Sequence, residues 1–321
     1  MKFIMHLTIQ NIKRRRVRTI LTLLGVMIGV VAAVVSLLSL GMGVKRELLQ
    51  GYGDDASIRQ ITVQTPENNQ NKKMLLTDHT IEKLAKLDKV ANVYPRYEVF
   101  TNIQVGQYTA YTNLVGIPSE QLSAIALTDT SSLSEHARKP ELVIGNAMGY
   151  MFFHEGSMTS YQDGKGDLNA WIGEKAKVSL GLDENEITDR LTIAGVMQGD
   201  ADEFSEQSQS IYCDIDVLRA YLKKHAAQGN VLGQPLDKNG NAYTSWVYSS
   251  VVVEVGKMED VEFVVKKLQD MGYQTTNMKE YRDTAMRTVR MLELLLGGIG
   301  LISFLVAAIG ISNTMTTAVY D

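Results

Sequence analysis

The stretch LLLGGIGLISFLVAAIGISNTMTTAVY, residues 294–320, decides how the rest of this 321-residue chain is read. Its 27 residues include no charged side chain and no His. At about 1.5 Å of rise per residue, a helix of this length exceeds the roughly 30 Å hydrocarbon core of a bilayer. No proline falls between residues 279 and 320, so one helix can run through the whole region. Met278, Tyr281, Ala285, Leu292 and Leu295 give its first turns an apolar face. The pattern predicts a stalk helix over 279–293 that continues into a membrane span over 294–320.

A second run free of charge and His lies at residues 19–44. It too is long enough to cross a bilayer. Mean hydropathy over the whole chain is only −0.07, because the apolar residues are segregated at the two ends. Charge is segregated with them. Residues 1–44 hold six bases and no acid, which leaves 26 bases against 36 acids in the remainder. Lys13, Arg14, Arg15, Arg16 and Arg18 abut the first span. Basic residues flanking a first span hold that end in the cytoplasm, so residues 45–290 are expected on the outer side of the membrane. Residues 1–18, with Ile4, Met5, Ile9 and Ile12 on one face, read as an interfacial helix on the inner leaflet. A cleaved signal peptide is the rival reading of 19–44, but the run is too long for an h-region and no A-x-A-like site follows it.

The region between the spans alternates strands and helices. IRQITVQT (58–65) and VANVYPRYEV (90–99) read as strands with TDHTIEKLAKL as a helix between them. Near the far end SSVVVEVGKM (249–258), EDVEFVVKKLQDMG and YQTTNM repeat the β-α-β order. Two such units at opposite ends of one region predict the halves of a single α+β subdomain, over 57–120 and 246–278. A mostly-β insertion is expected between them, at about 140–215. FTNIQVGQYTAYTNLVGI has the form of a hairpin turning at Gly106-Gln107. The fold class expected is therefore a membrane protein with an α+β ectodomain: two transmembrane helices flank a split β-α-β subdomain with an inserted subdomain. Cys213 is the sole cysteine, so no internal disulfide supports the fold.

Each uncharged run carries a stripe of small residues. Thr22, Gly25, Gly29, Ala32, Ser36, Ser39 and Gly43 lie on one stripe, and Gly300, Ser303, Ala307, Gly310 and Thr314 on the other. Successive small residues in both runs are three or four positions apart, a period of about 3.5 residues that lets helix backbones approach closely where lipid supplies no hydrophobic drive. These positions are the expected helix-packing sites. No Asp, Glu, Lys, Arg or His interrupts either run, which argues against an ion or proton relay inside them.

Local motifs offer no catalytic machinery. There is no G-x-x-x-x-G-K-[ST] sequence for nucleotide phosphates, and HEGSM (154–158) lacks the second His of a zinc protease helix. DKNGNA (237–242) opens like a calcium loop but has Ala242 at its sixth position and Tyr248 at its twelfth. No enzyme, bound cofactor, metal site or nucleic-acid partner is expected of this chain.

NIKRRRVRTILTLLGVMIGV (11–30) resembles the opening of MacB/FtsX-type permeases of ABC transporters, whose first span typically reads N-L-x-R-x-x-x-R-[ST]-x-L-T-x-L-G-[IV]-x-I-G. Asn11, Arg14, Arg18, Thr19, Leu21, Thr22, Leu24, Gly25, Val26, Ile28 and Gly29 occupy those positions. GGIGLISFLVAAIGISNTM (297–315) is similar to the family's second span, with Ala307-Ala308 where a Gly pair is common and Thr314 where Ile is. The resemblance implies a porter-like split ectodomain, an ABC ATPase subunit that hydrolyses ATP on this chain's behalf, a second permease copy in a homo- or heterodimer, and in some systems a membrane-fusion or adaptor protein. It also implies a cytoplasmic coupling segment and two further spans beyond Asp321, so the chain is expected to be a portion of a longer permease. The function implied is transmission of cytoplasmic ATP-driven motion to the ectodomain, for export of an antibiotic, peptide or lipoprotein. A two-span sensor and an FtsX-like regulator of a cell-wall hydrolase are the alternatives.

Overall fold

The computed structural model describes residues 35, 39, 41–43, 55–66, 74–134, 137–157, 159–181, 186–202, 205–226, 230–237 and 239–320. They form two units, Gln50–Glu280 and a second that joins Tyr281–Asp321 to the start of the chain.

The larger unit is organised by one strand, β2 (Val90–Val105), sixteen residues long. From Tyr97 onward its side chains alternate strictly between buried and half-buried positions, the period-2 signature of a strand with one face in a core. Its first part, Val90 to Arg96, pairs antiparallel with β9 (Ser250–Val255). Its second part, from Tyr97 on, pairs instead with β3 (Tyr108–Ile117). β2 therefore belongs to two sheets, and the change of partner falls between Arg96 and Tyr97.

The first sheet is all antiparallel, in the order β10 (Gln274–Asn277), β1 (Gln60–Gln64), β9, β2. Ile61, Val63, Val251 and Val253 are fully buried under two helices, α1 (Asp78–Ala85) and α4 (Val261–Asp270). The helices present Leu84, Val264 and Leu268 to that core at i, i+3 and i+4 spacings. Two interleaved β-α-β units thus close one two-layer subdomain, with α1 and α4 on the same face of the sheet.

The second sheet closes on itself. β2 pairs with β6 (Lys175–Leu180), β6 with β7 (Ile187–Val196), β7 with β4 (Leu142–Ile144), β4 with β8 (Ile211–Asp214), β8 with β3, and β3 again with β2. This is a six-stranded barrel whose interior is filled by side chains such as Ile103, Leu114, Leu180, Leu191 and Ile211. Closure removes the exposed edges that an open sheet of these strands would present. The tip of the β2–β3 hairpin is Gly106, whose φ of +59° lies in the left-handed region that suits glycine.

Helix α3 (Ile215–Lys224) follows β8 directly. Asp214 caps it by accepting hydrogen bonds from the N–H groups of Asp216 (2.8 Å) and Val217 (3.0 Å). It lies so close to β3 that a Cβ on Gly116 would meet Leu218 at 3.0 Å and the Ile215 backbone at 3.2 Å. A short helix, α2 (Ser119–Ala124), completes the barrel's outer side. Cys213 sits inside the barrel with no exposure, and burial pushes its thiol pKa well up.

One boundary differs from the sequence-based expectation. The segment 57–120 is not wholly one half of the split subdomain: residues 97–117 belong to the barrel. The insertion expected at about 140–215 is accordingly only part of that barrel, which also takes in the β2–β3 hairpin. The physical reason is the continuity of β2, which has no break between its two pairing regions. Pro95 does not interrupt it, because strand pairing there runs on to Arg96.

In the other unit, α5 (Met278–Tyr320) is a single helix of 43 residues, beginning three residues before the unit boundary. Asn277 caps its start, its Oδ1 accepting the Glu280 N–H at 2.8 Å.

Candidate functional site

Two features stand out: a polar cleft in the larger unit and the apolar surface of α5.

The cleft's floor is the face of the first sheet away from α1 and α4. Register places Thr276, Thr62, Val252 and Tyr94 in one row across the four strands, all on the face opposite Ile61 and Val253. Facing this floor is the outside of the barrel, where Ile117 and Tyr212 form a small apolar cluster with Ile125 and Met197 packed against it. The space between holds about 520 Å³, within the range of roughly 300–1,000 Å³ common for small-molecule sites.

Arg96 is the charged centre of this cleft. It is the last residue β2 contributes to the first sheet. Its side chain is 11% exposed and its Nη1 donates to Glu206 Oε1 at 2.8 Å, across from the loop before β8. Glu98 Oε1 stands 4.0 Å from Nε, beyond hydrogen-bond range. Burial works against the Arg96 charge, and the carboxylates of Glu206 and Glu98, with Tyr212, more than offset it. Burial also raises the pKa of Tyr94, with Glu254 adding to the effect, and burial raises that of Tyr212. Both phenols therefore stay protonated, and are available as donors, at neutral pH. Gln60 Nε2 donates to Glu254 Oε1 at 3.0 Å on the cleft's far side. Sequence reasoning missed this site, since Arg96 and Glu206 are 110 positions apart and neither sits in a motif.

On α5 the pattern is inverted. Leu294 is 78% exposed and Ile309 69%, and Leu301, Ile302 and Val306 are exposed as well. α5 is the helix, among the described residues, that is long and apolar enough to cross a membrane, with a mean hydropathy of 2.3 in its most apolar part. Of the expected packing positions, Gly300, Ser303, Ala307, Gly310 and Thr314 all lie on this helix, with Ala307 and Gly310 exposed. Gly43 is helical and exposed. The close approach at that level falls on Gly41, where an added Cβ would lie 3.1 Å from Glu293 Oε1, while one on Gly43 would meet nothing within 4 Å. The two glycines are about 200° apart around a helix, so they cannot both face α5. Thr22, Gly25, Gly29, Ala32 and Ser36 lie outside the described residues, as do Lys13, Arg14, Arg15, Arg16 and Arg18.

His154 does not enter a metal site; its Nε2 lies 2.8 Å from Gln107 Oε1 beside the hairpin tip. DKNGNA is a polar turn in which Asp237 accepts from the N–H groups of Asn239 and Asn241, both at 2.9 Å. Among the described residues no cluster of His, Cys, Asp or Glu is placed to hold a metal ion.

A helix-backed sheet joined by a shared strand to a closed barrel, and followed along the chain by a long apolar helix, defines a class of two-part α+β domain. Within that class the chain belongs to the family of MacB-like periplasmic core domains, whose model matches residues 19–271. It is 24% identical over 329 residues to the macrolide export ATP-binding/permease protein MacB of Bartonella henselae, covering 99% of this chain and 44% of that protein. The Escherichia coli K12 protein of the same name is also 24% identical, with 95% of this chain and 44% of that protein covered. The chain thus spans less than half the length of these curated relatives. Among solved structures, the periplasmic region of MacB from Actinobacillus actinomycetemcomitans aligns with a TM-score of 0.39 at 13% identity, over 71% of this chain and 93% of that one. The extracellular domain of the ABC-type transporter YknZ from Gram-positive bacteria aligns at 0.37 and 14%, over 68% and 98%.

Proposed function

We propose that this chain is the ectodomain-bearing portion of a MacB/FtsX-type permease in a bacterial cytoplasmic membrane, and that it carries mechanical work rather than chemistry. The observation that carries the reading is α5, which leaves the last strand of the ectodomain and continues for 43 residues without interruption into an uncharged, outward-facing apolar surface. A helix of that kind is stable where its side chains meet lipid. It can transmit displacement from one end to the other because the backbone hydrogen bonds of a helix interior are made within the helix and hold it stiff.

In this reading residues 45–290 lie outside the membrane and the N-terminus lies in the cytoplasm. ATP is bound and hydrolysed by a partner ATPase subunit or domain, as the relatives' name, ATP-binding/permease protein, suggests, and this chain holds no cofactor of its own. A second permease copy packs along Gly300, Ala307 and Gly310, whose small side chains allow close approach. An adaptor protein is a further expected partner, and export or efflux the expected outcome.

Arg287→Pro tests the transmission directly. Proline in a helix interior costs about 3 kcal/mol or more and bends the axis. In the full-length permease with its ATPase, the expected result is ATP hydrolysis that persists while transport falls by at least roughly tenfold. Transport at the parental level would contradict the reading. Gly310→Leu is expected to weaken permease pairing in membranes, read by cross-linking, while the ectodomain's near-UV circular dichroism stays unchanged.

A further inference from the structure

The cleft at the joint of the two sheets has no part in the transmission reading, yet it has the parts of a binding site. We propose that it binds a small amphipathic carboxylate, which Arg96 holds in exchange for Glu206.

The argument starts from the asymmetry of the ion pair. Arg96 is enclosed at 11% exposure, whereas Glu206 is 52% exposed. A guanidinium carries five donors in a planar fork that matches a carboxylate at two points. Here Glu206 engages Nη1 alone, and Nε is buried with no hydrogen-bond partner among the described residues. An unmet buried donor costs free energy that a better-placed acceptor would recover. Glu206, on a loop and open to water, is the partner that can leave. An incoming carboxylate would restore the charge balance and reach Nε as well.

Charge decides that the event is an exchange and not an addition. Glu98 and Glu206 already stand around one Arg, and Glu254, engaged by Gln60, adds a third carboxylate to the cleft lining. A further anion is repelled while Glu206 remains in place. Tyr94 and Tyr212, protonated and flanking, supply neutral donors. The rest of the ligand is set by the opposite wall, where Ile117, Ile125 and Met197 offer apolar contact. A carboxylate on an apolar body of modest size therefore fits, whether from the C-terminal end of a short peptide or from a small organic acid. The cleft also reaches Asn277 and Met278, the cap and first residue of α5, so an occupant would lie against the start of that helix. The proposal does not depend on α5 crossing a membrane, and its failure would leave the permease reading as it stands.

The test is calorimetric titration of the full chain in lipid nanodiscs with N-acetyl-leucyl-leucine, its C-terminal amide, the cationic leucyl-leucine amide, and benzoate. The acetylated acid is expected to bind at least roughly tenfold tighter than its amide. Glu206→Gln removes the competing carboxylate and is expected to tighten acid binding severalfold. Arg96→Gln is expected to abolish the preference for acid over amide, with near-UV circular dichroism confirming the fold. Binding of benzoate as tight as that of the peptide acid would assign the site to small organic acids; weak benzoate binding would assign it to peptide ends. Equal binding of acid and amide, preference for the cationic probe, or weaker acid binding in Glu206→Gln would each overturn the proposal. So would the absence of heat from every probe at millimolar concentration.

Discussion

Leu268 on α4 and Leu294 on α5 are the same residue type on the same kind of backbone, and they meet opposite surroundings. Leu268 is fully buried against the first sheet, while Leu294 is 78% exposed. α4 alternates apolar with charged residues, Val261, Val264 and Leu268 inward and Glu262, Lys266 and Asp270 outward. α5 from Leu294 to Ile309 has no such alternation; Leu294, Leu295, Ile299, Leu301, Ile302, Leu305, Val306 and Ile309 are all exposed. A helix with one apolar stripe is stabilised by a protein core on that side, and one apolar all round needs cover on every side, from protein or from lipid. The comparison teaches that apolar residues here are not one reservoir. In the ectodomain they form the core, and in α5 they form the outer surface.

Substitutions that act on one region and leave the other alone will sharpen or break this contrast. The largest effect is expected in the barrel, where Leu191→Ala leaves a cavity beneath β6 and β7. Large-to-small core changes cost about 2–5 kcal/mol, and each kcal/mol lowers the melting temperature of a domain this size by roughly 2–4 °C. Thermal denaturation should show that loss, with membrane integration unchanged. Leu305→Arg on α5 should do the reverse. A charge at mid-span costs about 2.5–3.5 kcal/mol of insertion on the translocon scale, so carbonate-resistant membrane association should fall while the ectodomain melts as before. If Leu305→Arg instead lowered the ectodomain's melting temperature, the division between the two regions would be wrong.

The smallest expected effect is electrostatic. Asp189 on β7 accepts hydrogen bonds from Lys139 Nζ at 2.6 Å and from the Tyr221 hydroxyl at 2.8 Å. The Lys139 bond, together with the Arg190 N–H and Tyr221, lowers its pKa from 3.8 to about 2. A depressed carboxylate stabilises the fold above its unfolded pKa and ceases to do so as pH falls through the folded value. Asp189→Asn should therefore lower stability modestly and evenly above about pH 4, since the pair is partly open to water, and flatten the acid limb of the profile between about pH 4 and pH 2. An unchanged acid limb would show that the Lys139 pair makes no net contribution.

Much of this architecture was legible before any coordinates. The turn at Gly106-Gln107 announces itself through glycine between two β-rich runs. The paired β-α-β units are marked by helical periodicity between valine-rich strands. The unbroken α5 follows from the lack of proline after residue 279. Barrel closure was not legible, because β4 and β8 are three- and four-residue strands, LVI and IYCD, too short to carry a period. Their partners are also non-local, and two of the pairings, β3 with β8 and β4 with β7, are parallel. The cleft was invisible for the same reason: Arg96 reads as one polar residue in a strand until β2 changes partner beside it. The small-residue stripe of residues 19–44 and its basic flank fall almost wholly outside the described residues. The approach at Gly41 is their nearest structural counterpart.

The central claim is that the folded unit carrying both sheets faces away from the cytosol. Cys213, the sole native cysteine, is fully buried, so a cysteine placed at the exposed Tyr111 becomes the reporter. A membrane-impermeant maleimide applied to intact spheroplasts carrying Tyr111→Cys should label the protein as fully as it does after lysis. Labelling that appears only once the membrane is opened would put the unit in the cytosol and contradict the account.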